Sequence, residues 1–306
     1  MKTRILISVV GPTAIGKTAL SIKLAQTFNT EILSADSRQF YKEIPIGTAA
    51  PSKKELAAAP HHFIHNKSIE DDYSVGDFER EAIEKLDLLF KDHEVLILVG
   101  GSGLYIKSLI EGLDNFPEID QEIREQLNDR LVNEGLGPLK TELEQLDPDY
   151  YNKIDINNPH RVIRALEVCI GSGKTFSSFL NQPKPIRNFK TISIGLTAPR
   201  EEIYERINRR VDLMMDEGLL EEAQALYPKH RLNALNTVGY KELFAFFEGR
   251  IDLETAVGEI KMNSRRYAKR QLTWFRKNEK TTWFDYKTPF SEIEDFIKSV
   301  MQEKYR

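Results

Sequence analysis

The sequence predicts an α/β protein, with a parallel β-sheet covered by helices, a helical insertion in its middle and a helical C-terminal region. Three observations predict it. In the first third, short apolar runs (Ile5-Leu-Ile-Ser-Val-Val10 and Val95-Leu-Ile-Leu-Val99) alternate with helix-period segments, the signature of buried strands joined by crossovers. An acidic, amphipathic stretch then intervenes. Strand signal returns at Thr191-Ile-Ser-Ile-Gly-Leu196, and from Pro199 onward the pattern is almost entirely helical and turns basic.

Composition sets the outer limits. With 306 residues, 41% hydrophobic and 29% charged, the chain can bury a sizeable core in two domains and is neither collagen-like, low-complexity nor wholly disordered. A net charge of −4 gives the molecule as a whole no strong attraction to polyanions, so local charge has to be considered instead. The single cysteine, Cys169, excludes an intrachain disulfide and a cysteine-based zinc site, in keeping with a reducing compartment. No apolar run approaches the roughly 18 residues that cross a bilayer, and Ile5 to Val10 is too short for a signal peptide. The expectation is a soluble cytoplasmic protein with no membrane association.

The first strand runs into Gly11-Pro-Thr-Ala-Ile-Gly16-Lys17-Thr18, after which Leu20, Leu24 and Phe28 recur every four residues, as one face of a helix does. The segment fits G-x-x-x-x-G-K-[ST] in its required setting, strand before and helix after. Its glycines let successive N–H groups turn toward phosphate oxygens, and the helix N-terminus adds its positive dipole end. Lys17 is placed to neutralise a terminal phosphate and Thr18 to hold Mg²⁺ through its hydroxyl. This makes the core P-loop NTPase-like. A similar segment, Gly171-Ser-Gly173-Lys174-Thr175, fails, because Val168 stands where the first glycine belongs and a helix precedes it; Gly171 is read as that helix's C-cap. Kinases, GTPases and transferases all use such a loop. Asn152-Lys-Ile-Asp155 spells a guanine-specificity motif, but no apolar strand precedes it and no Asp is followed three residues later by Gly, which argues against a GTPase.

Other segments carry chemistry in varying degree. Asp36-Ser37-Arg38-Gln39 follows the apolar Ile32-Leu33, at the strand end where parallel sheets bind ligands, which suits Asp36 to a metal or a proton and its neighbours to a nucleobase edge. Gly100-Gly-Ser-Gly-Leu-Tyr105 follows the Val95 to Val99 strand, and its small residues permit close approach of a substrate beside the Ser102 hydroxyl. From Glu111 to Tyr150 there are 12 acidic and three basic residues, with Ile123, Leu127 and Leu131 at helical spacing. Asn158-Pro159 starts a helix whose Val162, Ala165, Leu166 and Cys169 form a buried face, while Arg161 and Arg164 project together and can grip a diphosphate or simply be solvated. Between Lys261 and Lys277 lie seven basic residues and no acid, interleaved with Tyr267, Trp274 and Phe275, a pattern suited to an anionic polymer or, alternatively, to a solvated basic helix face with aromatics in the core. His61, His62 and His65 have no zinc spacing. The expected division is a core from 1 to 117, an insertion from 118 to 186, and a core completion with basic helical region from 187 to 306.

Taken together, Gly-Pro-Thr-Ala-Ile-Gly-Lys-Thr (11–18), Asp-Ser-Arg-Gln-Phe-Tyr (36–41), Gly-Gly-Ser-Gly-Leu-Tyr (100–105), Asn-Pro-His-Arg-Val-Ile-Arg-Ala-Leu-Glu (158–167), Thr-Val-Gly-Tyr-Lys-Glu (237–242) and Arg-Tyr-Ala-Lys-Arg-Gln-Leu-Thr-Trp-Phe-Arg (266–276) resemble the tRNA dimethylallyltransferase family, in family order and over nearly the whole chain. The resemblance implies transfer of a dimethylallyl group from dimethylallyl diphosphate to N6 of adenosine 37 in the tRNA anticodon stem-loop, with Mg²⁺ as cofactor and diphosphate released. It reassigns the phosphate loop from ATP to the allylic diphosphate, held by Gly11, Pro12, Thr13, Ala14, Ile15, Gly16, Lys17 and Thr18 with Arg161 and Arg164. It makes Asp36 the general base, with Lys17 and Ser102 also catalytic. It implies tRNA contacts at Asp36, Ser37, Arg38, Gln39, Ser102, Arg124, His160, Arg161, Val162, Ile163, Arg164, Lys269 and Arg270, with the adenine flipped from its stack and the insertion acting as an anticodon-stem domain. Ile15 stands where Ser is frequent, Ser102 where many members have Thr, and His65 where Asp is common. The zinc-finger extension of eukaryotic members has no counterpart in these residues, which points to the bacterial type. No obligate protein partner is expected, and the protein is expected to act as a monomer. The rival readings are a small-molecule or nucleotide kinase, which would use the same loop and turn over ATP without RNA, and an RNA-binding protein that senses nucleotide without chemistry.

Overall fold

The computed structural model describes residues 3–304. The chain begins β1 (Ile5–Val10), α1 (Lys17–Thr27), β2 (Ile32–Ser34), α2 (Lys53–Ala58), β3 (His61–His62), α3 (Val75–Leu89), β4 (Val95–Val99) and α4 (Gly103–Glu111). It continues through α5 (Gln121–Glu134), α6 (Leu136–Leu146), α7 (Pro148–Tyr151) and α8 (Pro159–Ser172). It ends with β5 (Lys190–Thr197), α9 (Arg200–Asp216), α10 (Leu219–Leu226), α11 (Tyr240–Phe247), α12 (Leu253–Phe275), β6 (Thr281–Asp285) and α13 (Phe290–Lys304). Two compact units result, one from the chain up to Ile110 and from Arg187 onward, the other from Glu111–Ile186.

The first unit is built on a six-stranded parallel sheet in the order β3-β2-β4-β1-β5-β6. Ile7 of the central β1 lies opposite Ile97 on one side and Ile192 on the other. Alternate side chains enter opposite layers. Ile5, Ile7 and Val9 join α1, α9 and α13 through Leu24, Ile207 and Ile297, whereas Leu6 and Val10 join α3 and α4 through Phe78, Leu86 and Leu109. Burial on both faces explains why β4 reads as an unbroken apolar run and β1 as one interrupted only by Ser8, each fully buried Ile or Leu contributing about 1.5–3 kcal/mol. A further cluster joins Val211, Leu219, Ala223, Tyr240, Leu243 and Ile260 to Ile44. The strand β6 departs from the almost purely helical expectation after Pro199. It is an edge strand of five residues, none fully buried, so it lacks the apolar run that marks β1.

The second unit packs α5, α6 and α8 around Leu127, Leu139, Leu143, Val162, Leu166 and Cys169. Asn158 caps α8 by accepting from the His160 N–H, with Pro159 at the first helical position, as expected. The C-cap, however, is Gly173 at φ 68°, not Gly171. Gly171 lies within the last turn, where a Cβ would meet Ile119 Cγ2 at 2.5 Å, so the close approach of the segment leading into α5 accounts for it. Val162 and Ile163 are buried in this core, which leaves His160, Arg161 and Arg164 as the neighbouring side chains that reach solvent. Among the described residues, no helix is long and apolar enough to cross a membrane.

Candidate active site

The C-terminal ends of β1, β2 and β4, adjacent in the sheet, bring together three loops. This is where a parallel sheet leaves a crevice for ligand. After β1 the chain enters the phosphate loop with Gly11 at φ 145°, pressed against β5 so closely that a Cβ would sit 2.6 Å from the Leu196 carbonyl oxygen. Gly16 then takes φ 106° as the N-cap of α1. Lys17, first in that helix, reaches back over the loop and donates from Nζ to the Pro12 carbonyl at 2.8 Å. Burial, aided by the nearby Arg210 charge and opposed by Asp36, lowers its pKa from 10.5 to about 8.

Helix α9 supplies two arginines one turn apart, beside the buried stripe of Ile203, Ile207 and Val211. Arg206 Nε donates to the Ala14 carbonyl at 2.7 Å. Arg210 donates to Thr13 Oγ1 at 3.0 Å and, from its other terminal nitrogen, to the Thr48 and Ala49 carbonyls at 3.4 and 3.2 Å. Burial pulls the Arg210 pKa down while Asp36 opposes, yet a guanidinium stays charged at neutral pH.

Asp36 follows β2, where the Ala35 N–H bonds the Val99 carbonyl at 2.7 Å and ties the two loops together. Its Oδ1 accepts from the Arg38 N–H at 3.1 Å. Ser102 Oγ accepts from the Ser37 N–H at 2.9 Å and donates to Ser37 Oγ at 3.1 Å. The Tyr267 hydroxyl, beside Ser102, is pushed up to about 12, chiefly by burial and then by the Asp36 charge. Arg38 and Gln39 turn inward. Arg38 donates to the Asn233 and Ala234 carbonyls, and the Gln39 amide to the same Thr48 and Ala49 carbonyls that hold Arg210.

The glycines after β4 are explained differently from the expectation of close substrate approach. At Gly100 a Cβ would meet the Ala35 carbonyl oxygen at 2.2 Å, and at Gly103 the Trp274 ring at 2.2 Å. Their small size admits protein. The 237–242 segment frames another wall. Glu242 accepts from the Gly239 N–H at 2.8 Å and from Asn263 at 2.7 Å, and the Tyr240 hydroxyl donates to Glu222 at 2.5 Å. Glu222 in turn accepts the Ile46 and Gly47 N–H groups.

Between these walls lies a cleft of about 540 Å³. Thr13, Asp36, Ser37, Arg38 and Arg210 line it with polar groups, Ile207, Val211, Met214, Leu219, Val238 and Ile260 with apolar ones, and Lys241, Tyr267 and Arg270 also contribute. One cavity thus holds anion-binding cations, a carboxylate and an apolar wall. It can seat a phosphorylated ligand with a small hydrocarbon part.

The structure therefore brings together the phosphate loop, Lys17, Thr18, Asp36, Ser37, Arg38 and Ser102. Arg124, His160, Arg161 and Arg164 belong to the other unit. There Glu167 pairs with Arg164 at 2.7 Å and Arg124 at 3.8 Å, while Arg164 lies 5.5 Å from the Phe116 ring centroid. Lys269 and Arg270 are exposed on α12. Sequence reasoning missed Arg206 and Arg210; their signal was two arginines at i and i+4 flanking a buried stripe, the same kind of pairing as Arg161 and Arg164. Among the described residues, no group of three His, Cys, Asp or Glu could hold a metal, so His61, His62 and His65 form no such centre.

Comparisons with known proteins bear on this cleft. A family model described as IPP transferase matches residues 39–278, a stretch that begins after the phosphate loop and Asp36. The tRNA dimethylallyltransferase of Christiangramia forsetii is 63% identical over 294 residues, covering 96% of this chain and 97% of that one. The tRNA dimethylallyltransferase of Flavobacterium johnsoniae is 56% identical, covering 95% and 96%. Both alignments span far more of the chain than the family model does. Among solved structures, the tRNA isopentenylpyrophosphate transferase of Bacillus halodurans superposes with a TM-score of 0.74 at 37% identity, covering 99% of this chain and 98% of that one. A eukaryotic dimethylallyltransferase described as acting on tRNA gives 0.80 at 28% identity, covering 97% and 80%.

Proposed function

The chain belongs to the IPP transferase family, and from that premise we propose how its cleft carries a dimethylallyl group from dimethylallyl diphosphate to N6 of adenosine 37 in tRNA. The observation that carries the proposal is the convergence of Asp36, Arg210, Thr13 of the phosphate loop and an apolar wall on one cavity, with the buried Lys17 close enough to feel the charges of both Asp36 and Arg210. The diphosphate occupies the phosphate loop, residues 11–18, facing Lys17 and Arg210. The five-carbon group lies against Ile207, Val211 and Met214. The allylic C–O bond breaks as negative charge grows on the departing diphosphate, and preoriented cations stabilise that charge. N6 of adenine, a poor nucleophile while it holds both protons, forms the new C–N bond and gives one proton to Asp36. Ser102, bonded to Ser37, fixes the loop beside that carboxylate.

Thr18, in the first turn of α1, suits Mg²⁺, which commonly takes few protein ligands and completes its shell with phosphate oxygens and water. When bound, the ion would neutralise part of the diphosphate charge. Lys269 and Arg270 on α12 offer the RNA backbone sequence-blind attraction. Arg124, His160, Arg161 and Arg164 present further donors to RNA on the second unit. Val162 and Ile163 serve there by anchoring α8. Action in the cytoplasm, as a monomer, accompanies this reading.

The test is incubation with Mg²⁺, unmodified tRNA and dimethylallyl diphosphate, then mass spectrometry of the digested RNA for C5H8 added to adenosine. ATP replaces the allylic diphosphate in a parallel reaction. Gain only with the allylic diphosphate supports the transferase. ATP turnover with no gain moves the assignment to a kinase. A pH dependence also follows. Because the Lys17 pKa is about 8, free enzyme loses that cation as pH rises through this value. The kcat/KM for dimethylallyl diphosphate, which reports free-enzyme ionisations, falls above about pH 8. A profile flat to about pH 10 would show that the Lys17 pKa is not lowered by its burial or that Lys17 does not face the diphosphate, and Lys17→Met, which keeps its affinity for inorganic diphosphate only in the second case, separates the two.

A further inference from the structure

Helix α12 presents two faces of different chemistry. Arg266, Lys269, Arg270 and Thr273 are exposed along one of them. Along the other, Tyr267, Gln271 and Trp274 stand at i, i+4 and i+7, spacing that aligns them on one side of a helix. All three meet the short loop after β4. Tyr267 lies beside Ser102, Gln271 bonds Gly101, and the Trp274 ring fills the space beside Gly103.

Gln271 stands out among them. It is 5% exposed, and both ends of its amide are used. Oε1 accepts the Thr13 N–H of the phosphate loop at 2.9 Å, and Nε2 donates to the Gly101 carbonyl at 2.9 Å. At Gly101 a Cβ would come within 2.4 Å of that Nε2 and 3.7 Å of Asp36 Oδ2, so only a glycine fits between the amide and the carboxylate. Its burial keeps it from reading RNA. Filling volume alone would need no amide at all. An amide that satisfies one donor and one acceptor on two separate loops fixes the distance between them.

We propose that Gln271 is a positioning residue for the transfer. It sets the spacing between the phosphate loop and the loop bearing Ser102, and with it the gap the allyl carbon crosses between the leaving diphosphate and the nitrogen beside Asp36. Errors of about 1 Å in such a gap cost about 10²-fold in rate. The proposal rests on the transferase reading for its kinetic consequence, but its effect on the phosphate loop is independent of any reaction.

The test compares the wild type with Gln271→Leu and Gln271→Glu. Binding of inorganic diphosphate is followed by calorimetry, kcat and both KM values in the transfer assay, and folding by thermal melts. In Gln271→Leu, kcat falls about 30- to 100-fold, diphosphate binds about tenfold more weakly, and KM for tRNA stays within about twofold. Gln271→Glu distinguishes hydrogen bonding from packing. A protonated carboxyl reproduces the donor and acceptor of the amide, whereas a carboxylate cannot donate to Gly101. The groups around it that set its ionisation are Asp36, Lys17, Arg210, Tyr267 and Arg270. Diphosphate affinity relative to wild type is therefore near one at about pH 6 and falls severalfold by about pH 8.5. A ratio independent of pH, or Gln271→Leu with wild-type affinity and kcat, overturns the proposal. If Gln271→Leu does not fold, the isosteric Gln271→Glu decides. If wild-type protein binds diphosphate yet adds nothing to tRNA, the transferase reading fails and the diphosphate arm still settles the role of Gln271.

Discussion

Asp36→Asn lowers kcat by about 10³-fold while tRNA affinity stays within about threefold. The substitution is nearly isosteric, and an amide oxygen can still accept the Arg38 N–H that now bonds Oδ1. The Ser37–Ser102 contacts involve neither carboxylate oxygen and persist. What an amide cannot do at neutral pH is accept the proton that N6 must lose as it is alkylated. Single-turnover transfer from labelled dimethylallyl diphosphate measures the chemical step, and fluorescence anisotropy with an anticodon stem-loop measures binding. Turnover within about threefold of wild type would assign the base elsewhere. A second effect has a fixed sign. Asp36 raises the Lys17 pKa against burial and Arg210, so its neutralisation moves the alkaline fall of kcat/KM below about pH 8.

How much of this site the sequence disclosed depends on sequence distance. The phosphate loop, Asp36 and Ser102 were legible because each sits in a short segment with its strand beside it, and parallel topology brings strand ends together. Arg210 was not. Its partners Thr13 and Ala49 lie 197 and 161 residues away, and nothing within α9 marks it apart from its spacing to Arg206. The glycines at 100 and 103 stand out in the sequence but suggest the wrong cause, because what crowds Gly103 is Trp274, far along the chain. Gln271 stood inside a recognised segment with no role, since an amide's function is set by which backbone groups it meets. Edge strand β6 and the Gly173 cap show the same limit on a smaller scale, where local pattern was too weak to fix an element or its end. The core strands β1 and β4 were plain because burial on both faces leaves a near-continuous apolar run, interrupted only by Ser8 in β1.

Arg210→Lys lowers kcat/KM for dimethylallyl diphosphate by about 10²- to 10³-fold, although charge is conserved. The guanidinium fork spans Thr13 Oγ1 on one side and the Thr48 and Ala49 carbonyls on the other. An ammonium is a compact point charge that cannot hold both walls in one planar geometry. The Gln39 amide, which shares the Thr48 and Ala49 carbonyls, then has to hold the 48–49 loop alone. The loss corresponds to about 3–4 kcal/mol of transition-state stabilisation, the range typical when one preoriented donor to a developing anion is removed. Arg210→Ala makes a sharper test, because it reverses the sign of the effect on Lys17. The Arg210 charge depresses the Lys17 pKa, so its removal raises that pKa and shifts the alkaline limb of kcat/KM above about pH 8, opposite to Asp36→Asn. A general loosening of the loop would lower the rate in both variants without moving their limbs apart. Limbs displaced in opposite directions require that Asp36, Lys17 and Arg210 act on one another through the cleft, whereas coincident limbs would show that one of them faces elsewhere.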